Sequence, residues 1–387
     1  MEPWLERAAG LRPEVVAVEA PEGSLTYAEL LERARSVRVS AARVALALPP
    51  GLDFAVALHA CWLCGAAVVP VDLREPVWRT AGAGQVIETV ENGGQVRGEG
   101  PSLVVHTSGT TGAPRPVSLS AANVLANALG CFAALGRPER WLCPLPLSHV
   151  GGLMVLFRSV IAASTAVIGP AERRDVSHAS LVPTQLARLL GGPALDGVVL
   201  LGGAPADPTL LVRARDAGWR VAPSYGLTQT CSAATIAEPG DVETSGRAIP
   251  GLAVTIAPDG EIIVSGPSVV GGTLATGDLG RLDARGRLIV LGRKVDTIVS
   301  GGENVMPQEV EAVLLSHPAV AEAGVFGRPD AEWGEAVTAY VVGAVDADEL
   351  RAFARERLAA FKVPKEIEVV DSLPRNAAGK LLRRELV

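Results

Sequence analysis

The sequence contains few cysteines, and their arrangement argues against a disulfide framework. Five cysteines among 387 residues are an odd number, and their spacing is irregular. Cys61 and Cys64 form a Cys-x-x-Cys pair that lies inside an apolar helical run. No second Cys or His pair with ligand spacing follows this pair, so we expect neither a metal nor a redox role for it.

The sequence also lacks an uninterrupted apolar run of membrane-spanning length. The longest apolar stretch, from Phe54 to Val71, contains His59 and Pro70 in addition to the two cysteines. This stretch predicts a buried helix followed by a strand. The N-terminal residues do not have the basic, apolar and small-residue order of a signal peptide. We therefore expect a cytoplasmic protein without membrane insertion.

An excess of positive charge is absent as well. The net charge is −7, which argues against nucleic acid as the main partner. Hydrophobic residues make up 48% of the chain and charged residues 20%, as expected for a globular protein with a sizeable core. A chain of this length can form a large domain and a smaller one.

Two familiar catalytic signatures are missing. The G-x-x-x-x-G-K-[ST] pattern of the P-loop occurs nowhere in the chain. No G-x-S-x-G elbow is present either, so we do not expect a nucleophilic triad. Phosphate binding or group transfer, if it occurs, must therefore depend on other residues.

The segment from Val104 to Val117 reads VVHTSGTTGAPRPV and predicts a strand that runs into a phosphate-binding loop. Gly109 and Gly112 permit backbone conformations that other residues avoid, and they let main-chain N–H groups approach an anion closely. Four hydroxyl groups add further donors, those of Thr107, Ser108, Thr110 and Thr111. A strand followed by such a loop is the outline of a phosphate cradle.

Helical and strand-like segments alternate through the first part of the chain. Thr26 and Glu29 form a capping box at the start of a helix. The segment from Leu52 to Cys64 is helical by its period, and Ala67 to Val71 is a strand. This alternation predicts an α/β fold built on a parallel sheet with helices on its faces.

The pattern changes twice further along the chain. After Pro250, short strands and turns predict a small β-rich subdomain. Beyond Arg293, the pattern predicts a small α+β domain with one helix that begins at Pro307 and another that Asp348 opens. We predict a large domain at residues 1–292 and a small domain at residues 297–387.

The glycine-rich loop resembles the phosphate loop of the adenylate-forming superfamily, which includes acyl-CoA synthetases, peptide-synthetase adenylation domains and luciferases. That loop usually reads TSGTTGxPKG, whereas Arg115 here stands at the usual Lys and Pro116 at the usual second Gly. The resemblance extends from about Leu25 to Glu385, because further motifs follow in the family's order. These motifs are PLPLSH at 144–149, GGAP at 202–205, YGLT at 225–228, TGD at 276–278, GRKVD at 292–296 and LPRNAAGK at 373–380.

The resemblance implies a nucleotide site. The loop from Thr107 to Gly112 would hold the phosphates, Tyr225 would stack on adenine, and Asp278 and Arg293 would bind the ribose. Gln229 stands where the family usually has a Glu that faces Mg²⁺, and a neutral amide oxygen is a weaker ligand for a hard cation. The remaining residues of the implied ATP and AMP site are Gly203, Ala204, Pro205, Ser224, Gly226 and Thr228.

The resemblance also implies catalytic, acid-binding and coenzyme A-binding residues. Lys380 would be the catalytic residue that bridges the reacting carboxylate and the α-phosphate. The small domain would then rotate about a hinge at residues 293–296, where Val295 replaces the usual Asp or Lys. The implied acid-binding residues are His149, which is also implied to be catalytic, with Gly151, Gly202 and Gly203. The implied coenzyme A residues are Gly301, Gly302 and Trp333.

These residues together imply an ATP-dependent acid–CoA ligase that acts through an acyl-adenylate and uses ATP, Mg²⁺ and coenzyme A. The compact size and the segments around His149, 202–205 and 225–231 resemble o-succinylbenzoate–CoA ligases of menaquinone synthesis. A medium-chain or aromatic acyl-CoA synthetase is the alternative. The resemblance leaves a homodimer open.

Two hypotheses from other classes stay open. One is a nucleotide-binding homologue that has lost catalysis, to which Arg115, Gln229 and Val295 point. Lys380 and the ribose-binding pair argue against this hypothesis. The other is an adenylation module that loads a carrier protein, which would then have to be a separate protein.

Overall fold

The computed structural model describes residues 4–98, 100, 102–107, 115–375 and 381–386. The helices within these residues are α1 (Trp4–Leu11), α2 (Tyr27–Ser36), α3 (Leu52–Cys64), α4 (Ala121–Leu135), α5 (Val150–Ala162), α6 (Pro183–Leu189), α7 (Pro208–Asp216), α8 (Pro307–Leu315) and α9 (Ala347–Arg355).

The strands up to residue 248 are β1 (Val16–Ala20), β2 (Gly23–Thr26), β3 (Arg43–Leu46), β4 (Ala67–Pro70), β5 (Gln85–Ile87), β6 (Ser102–Thr107), β7 (Arg115–Ser120), β8 (Arg140–Cys143), β9 (Thr165–Ile168), β10 (His178–Leu181), β11 (Val198–Leu201), β12 (Arg220–Leu227), β13 (Ser232–Ile236) and β14 (Arg247–Ala248). The later strands are β15 (Ala253–Ile256), β16 (Glu261–Ser265), β17 (Thr273–Leu282), β18 (Leu288–Arg293), β19 (Ile298–Ser300), β20 (Glu303–Val305), β21 (Val320–Asp330), β22 (Gly334–Gly343) and β23 (Glu366–Val369).

The chain divides into two compact units. The first contains Met1–Val254 and Val264–Leu274, and the second contains Thr255–Ile263 and Ala275–Val387. The predicted hinge at 293–296 describes a rotation of one domain against the other, which a division into compact units does not measure. The predicted domain boundaries therefore stay a prediction.

Two sheets form the frame of the first unit. The larger has nine strands in the order β14-β13-β12-β11-β10-β8-β9-β1-β2, and its six central strands, β12 to β1, are parallel. The smaller has five strands in the order β5-β3-β4-β6-β7, of which only the β6–β7 pair is antiparallel. The predicted α/β fold is confirmed, and the sheets differ from the predicted parallel arrangement at their antiparallel edge strands.

Two apolar helices occupy the core of the first unit. Helix α3 is buried along almost its whole length because it is apolar on every face, and α5 is buried from Gly152 to its end. Both belong to one apolar cluster that also contains inward-facing residues of both sheets. The predicted succession of a buried helix and a strand between Phe54 and Val71 is therefore confirmed.

All five cysteines are buried and carry free thiols. Burial raises the pKa of the Cys64 thiol, which disfavours the reactive thiolate. The Cys61–Cys64 pair is therefore part of the apolar core. In the described part of the chain, no helix is long enough and apolar enough to cross a membrane.

Local sequence explains where several helices begin. Thr26 and Glu29 form the predicted capping box of α2, and Pro307 lies in the first turn of α8 as predicted. The expectation that Asp348 opens the last helix is wrong. The side chain of Asp346 accepts hydrogen bonds from the backbone N–H groups of residues 348 and 349, so Asp346 is the capping residue of α9.

The second unit contains most of a four-stranded sheet in the order β15-β16-β17-β18 and all of a sheet in the order β20-β19-β22-β21, with β23 paired to β22. Helices α8 and α9 pack beside the latter sheet. Their buried residues Val310, Leu314 and Leu350 join Val325 and Val337 in one apolar cluster. The predicted β-rich segment after Pro250 and the α+β segment after Arg293 are both present.

Candidate active site

The carboxyl ends of four neighbouring parallel strands bring together several of the predicted site residues. Strands β12, β11, β10 and β8 lie side by side in the nine-stranded sheet. Because parallel strands end at the same edge, the loops that follow β8 and β11 lie at the same edge as the last residues of β12. Ligands bind at this edge in open α/β sheets, so it is the candidate site in the first unit.

The GGAP loop leaves β11 at this edge. The Ser224 hydroxyl on β12 donates a hydrogen bond to the carbonyl oxygen of Leu201, at 2.8 Å. A Cβ atom at Gly202 would lie 2.8 Å from that hydroxyl, so a larger residue would disturb the bond. Gly203 has a φ of +82°, which favours glycine. The following Ala204 and Pro205 are exposed, so a ligand can reach them.

The last residues of β12 continue directly into a short 3-10 helix, Thr228–Thr230. Tyr225 is partly buried, and the exposed Gly226 approaches the opposite strand so closely that a Cβ atom would lie 1.9 Å from the Ser232 carbonyl oxygen. Thr228 and Gln229 are half-buried, whereas Thr230 is fully buried. The side chains of Thr228 and Gln229 are therefore accessible to a ligand, whereas that of Thr230 is not.

The described residues offer no resident metal centre. No group of three or more His, Cys, Asp or Glu side chains in this part of the chain could hold a metal ion. The Gln229 side chain can supply one neutral oxygen. A divalent cation would therefore have to bring most of its ligands from a bound phosphate and from water.

His149 occupies the N-cap position of α5 without a side-chain capping bond. Its ring lies near two residues that the sequence did not single out. The Arg74 Nη2 atom lies 3.3 Å from His149 Nε2, and Asp72 Oδ2 lies 3.8 Å from the same nitrogen. Arg74 Nε also donates to Asp72 Oδ1 at 2.8 Å. The one available signal was the D-x-R sequence that follows the buried strand β4. That sequence does not indicate that Asp72 and Arg74 contact the residue at the start of α5.

The charges in this cluster oppose one another. The hydrogen bonds from Arg74 lower the pKa of Asp72 to about 2. Loss of hydration lowers the pKa of His149, Arg74 lowers it further, and Asp72 opposes both. The neutral form of His149 is therefore favoured at pH 7, and its ring can accept a hydrogen bond from Arg74 in that form.

The predicted phosphate loop is only partly within the described residues. Thr107 ends β6 opposite Arg115, and the Thr107 hydroxyl donates to the Arg115 carbonyl oxygen at 3.2 Å. Arg115 is exposed. Ser108, Gly109, Thr110, Thr111, Gly112 and the predicted catalytic residue Lys380 lie outside the described residues.

The predicted ribose-binding pair lies in the second unit. Asp278 and Arg293 face each other across the β17–β18 pair, with 3.5 Å between Oδ1 and Nε. Asp278 is buried at 7% exposure, and its backbone N–H donates to the Thr276 hydroxyl at 3.1 Å. The carboxylate therefore lies beside a cation and is largely shielded from water, and it can accept hydrogen bonds from two hydroxyls.

Glu261 and Lys294 support this turn, a role that no sequence motif indicated. Glu261 Oε1 accepts from the backbone N–H of Gly277 at 2.8 Å, where φ is +74°. Lys294 Nζ lies 3.1 Å from the other oxygen of Glu261 and 2.7 Å from Asp259. The TGD turn and the predicted hinge segment are thereby tied together.

The three predicted coenzyme A residues lie together in the second unit. Gly301 and Gly302 both have positive φ, +60° and +84°. The Gly301 N–H donates to the Trp333 carbonyl oxygen at 2.8 Å, and the indole lies so close that a Cβ atom at residue 301 would be 3.0 Å from it. Lys365 Nζ lies 4.2 Å from the centre of the same indole. The Trp333 indole therefore forms a flat aromatic surface, and the Lys365 ammonium group lies beside it.

Comparison with known proteins identifies the same family as the sequence motifs do. The family model of AMP-binding enzymes matches residues 77–274, and that of the AMP-binding enzyme C-terminal domain matches residues 309–380. The chain is 35% identical to 2-succinylbenzoate–CoA ligase from Bacillus licheniformis, over 99% of this chain and 98% of the relative.

Solved structures agree with the sequence relatives. An o-succinylbenzoate coenzyme A synthetase from Bacillus subtilis, in complex with its acyl-adenylate intermediate, superposes with a TM-score of 0.88 at 33% identity, covering 100% of this chain and 98% of that one. The same enzyme with ATP and magnesium ion gives a TM-score of 0.89 at 34% identity, covering 99% of both chains. The chain therefore belongs to the family of AMP-binding, adenylate-forming enzymes.

Proposed function

We propose that this protein is an ATP-dependent o-succinylbenzoate–CoA ligase that acts through an acyl-adenylate. The observation that carries the proposal is the similarity, over 99% of the chain, to 2-succinylbenzoate–CoA ligases. The Bacillus subtilis relative has been solved with its acyl-adenylate and with ATP and magnesium. By that similarity the substrates here are the acid, ATP and coenzyme A, with Mg²⁺ as the metal.

In the first half-reaction, a carboxylate oxygen of the acid attacks the α-phosphorus of ATP, and the bond to the β-phosphate oxygen breaks. The products are a mixed anhydride and pyrophosphate. Two anions must approach each other, so cations and N–H donors that are already in place lower the barrier. We assign this task to the loop from Thr107 to Gly112, to Thr228 and to Lys380.

The nucleoside part of ATP needs a stacking surface and a ribose partner. We assign adenine stacking to Tyr225, with Ser224 and Gly226 beside it and the exposed loop of Gly203, Ala204 and Pro205 as the adjoining wall. The buried Asp278 carboxylate can accept hydrogen bonds from both ribose hydroxyls while Arg293 stays beside it.

In the second half-reaction, the coenzyme A thiolate attacks the carbonyl carbon and AMP leaves. We propose that the small domain, residues 297–387, rotates about 293–296 between the two steps, which is a hinge motion. Gly301, Gly302 and Trp333 would then face the pantetheine arm. A side-chain-free glycine pair against an indole wall suits a narrow, uncharged chain.

The acid would enter beside His149. Gly151, Gly202 and Gly203 leave room for a flat ring and let the backbone approach it, which suits a mostly apolar pocket with few orienting polar groups. The second carboxylate of o-succinylbenzoate must find a donor there, because burying it unpaired is costly.

The test compares kcat/KM for o-succinylbenzoate, benzoate and octanoate at fixed ATP and coenzyme A, with pyrophosphate release as the signal. We expect o-succinylbenzoate to exceed both by at least about tenfold, a transition-state preference of roughly 1.4 kcal/mol. If benzoate or octanoate is preferred by the same factor, the protein is an aromatic or medium-chain acyl-CoA synthetase instead. If no acid supports pyrophosphate release, the chain is a nucleotide-binding homologue without catalysis.

Three further proposals concern location and partners. We propose a cytoplasmic location, no nucleic acid as a partner, and a homodimer as an open possibility. The net charge of −7 supports the second, because a polyanion would be repelled. Light scattering of the purified chain at several concentrations would decide between monomer and dimer.

A further inference from the structure

Arg158 is a fully buried cation in helix α5, and its surroundings are unusual for a charged side chain. Its exposure is 0%. Nε and Nη1 have no oxygen or nitrogen partner within the described residues, and the third nitrogen, Nη2, donates to an amide rather than to a carboxylate. The face of Trp141 lies 5.2 Å from Cζ. An apolar residue of similar volume would cost less at this position, so we expect the guanidinium to have a function.

The partner of Arg158 is Asn127 of helix α4, which is also fully buried. Nη2 of Arg158 donates to Asn127 Oδ1 at 2.8 Å. Arginine can donate hydrogen bonds but cannot accept them. It therefore fixes the carboxamide with its oxygen toward α5 and its NH₂ group toward the turn after β12 and toward β13.

The oriented NH₂ group holds the turn after β12. Asn127 Nδ2 donates to the carbonyl oxygens of Thr230 and Ala233, at 3.2 and 2.9 Å. From the other side, the Ser268 hydroxyl donates to the Thr230 carbonyl oxygen at 3.2 Å, and the Val270 N–H donates to that of Gln229 at 2.9 Å. The 3-10 helix Thr228–Thr230 is thus fixed through its carbonyl groups.

The turn needs such support because its backbone is strained. Cys231 and Ser232, which directly follow the 3-10 helix, have φ values of +59° and +93°. Two successive residues other than glycine in this region cost free energy unless surrounding contacts hold them. Strain of this kind is found where side chains must be presented to a ligand.

We propose that Asn127 and Arg158 are positioning residues for the adenylation half-reaction. Arg158 orients the Asn127 amide, and the amide holds the turn that presents Thr228 and Gln229 to the phosphates and the metal of MgATP. This inference rests on the proposed function, which assigns Thr228 to the phosphates.

The sharpest test is Asn127→Asp. A carboxylate still accepts from Arg158, and pairs with its charge, but it cannot donate to Thr230 or Ala233. We expect kcat/KM for MgATP in acid-dependent pyrophosphate exchange to fall about tenfold or more, and the Mg²⁺ requirement to rise, as is usual when an outer support of a metal site is lost. Thioester formation from supplied acyl-adenylate should change by less than about twofold, because pyrophosphate and its metal are absent from that step.

Two substitutions of Arg158 provide a second, independent test. Lysine retains a donor that can reach toward Asn127 Oδ1, whereas methionine fills a similar space without any donor. We expect pyrophosphate exchange to decrease in the order wild type, Arg158→Lys, Arg158→Met. Equal activity of the two variants would show that the orienting hydrogen bond is not used. This comparison decides the proposal if Asn127→Asp does not fold.

Thr165→Val is the matched structural control. It removes one partly buried hydrogen bond from a side chain to a carbonyl, that of Thr165 Oγ1 to Val16 at 2.7 Å, in the same unit and away from the turn. It should lower Tm and change both half-reactions by the same factor. The proposal is overturned if Asn127→Asp behaves like this control, or if it exchanges pyrophosphate at the wild-type rate. If the wild-type protein itself forms no adenylate, the proposed function fails, and the Kd of MgATP for wild type and Asn127→Asp, measured by calorimetry, decides the positioning role.

Discussion

At the residue scale, the departures from the family pattern change charge more than shape. Gln229 replaces a carboxylate with an amide of similar size, and Arg115 keeps the positive charge of lysine on a planar, forked group. The described residues hold no group of three or more His, Cys, Asp or Glu side chains that could bind the metal in its place. Mg²⁺ would then be held mainly by the phosphates of ATP and by water, and the protein would contribute one neutral oxygen.

The substitution Gln229→Glu tests this view. A carboxylate is the better ligand for a hard cation, so we expect kcat/KM to stay unchanged or rise and the Mg²⁺ concentration for half-maximal activity to fall. Gln229→Ala, which removes the oxygen, should raise that concentration. Both are measured by pyrophosphate release at several Mg²⁺ concentrations. A large loss of activity in Gln229→Glu would mean that Gln229 has a role other than that of the family glutamate.

At the element scale, the sequence predicted those features whose signals are local. The bounds of α3 follow from its composition, and the start of α2 follows from its capping box. Strands β8 and β9 were not identified, because four-residue strands buried on nearly every residue show no alternation. The cluster around His149 was missed for a different reason. It forms where the end of β4 meets the start of α5, and such a meeting depends on how distant elements pack.

The contacts of His149 predict that substitutions of Asp72 and Arg74 shift the pKa of His149 in opposite directions. Asp72 raises the pKa of His149 and Arg74 lowers it. Asp72→Asn should therefore lower the pKa of His149, and Arg74→Met should raise it. Histidine NMR titration measures both, and His149→Gln identifies the resonance among the five histidines. Shifts of the same sign in the two variants would contradict the arrangement described here.

The same cluster has a consequence for stability. The folded-state pKa of His149 lies below its ordinary value of 6.5, so the unfolded chain binds the proton more readily. The contribution of neutral His149 to the free energy of unfolding is therefore fully present above about pH 6.5 and is lost as the pH falls through the folded-state pKa. Asp72→Asn should extend this loss to lower pH.

At the scale of the whole molecule, the chain is a shortened version of its relatives. The alignment with the Bacillus licheniformis ligase has 471 positions and spans 99% of a 387-residue chain, so about 88 positions have no residue here. Both family models still match in the expected order. The family was therefore readable from the sequence, because its motifs each depend on a short run of residues. The support of these motifs by Asn127, Arg158 and Glu261 was not readable, because it depends on distant packing.

The two half-reactions can be separated at Lys380, one of only four lysines in the chain. If Lys380 bridges the carboxylate and the α-phosphate, Lys380→Ala removes a charge contact of about 3 kcal/mol and lowers the adenylation rate about a hundredfold or more. Thioester formation from supplied acyl-adenylate should largely survive, because the small domain would by then have turned another face toward the site. Lys362, which pairs with Glu309 at 2.7 Å on the surface of the second unit, provides the matched control, and Lys362→Ala should leave both rates near wild type. Equal losses in the two half-reactions of Lys380→Ala would contradict the two-state assignment, since a residue needed equally in both steps cannot leave the site between them.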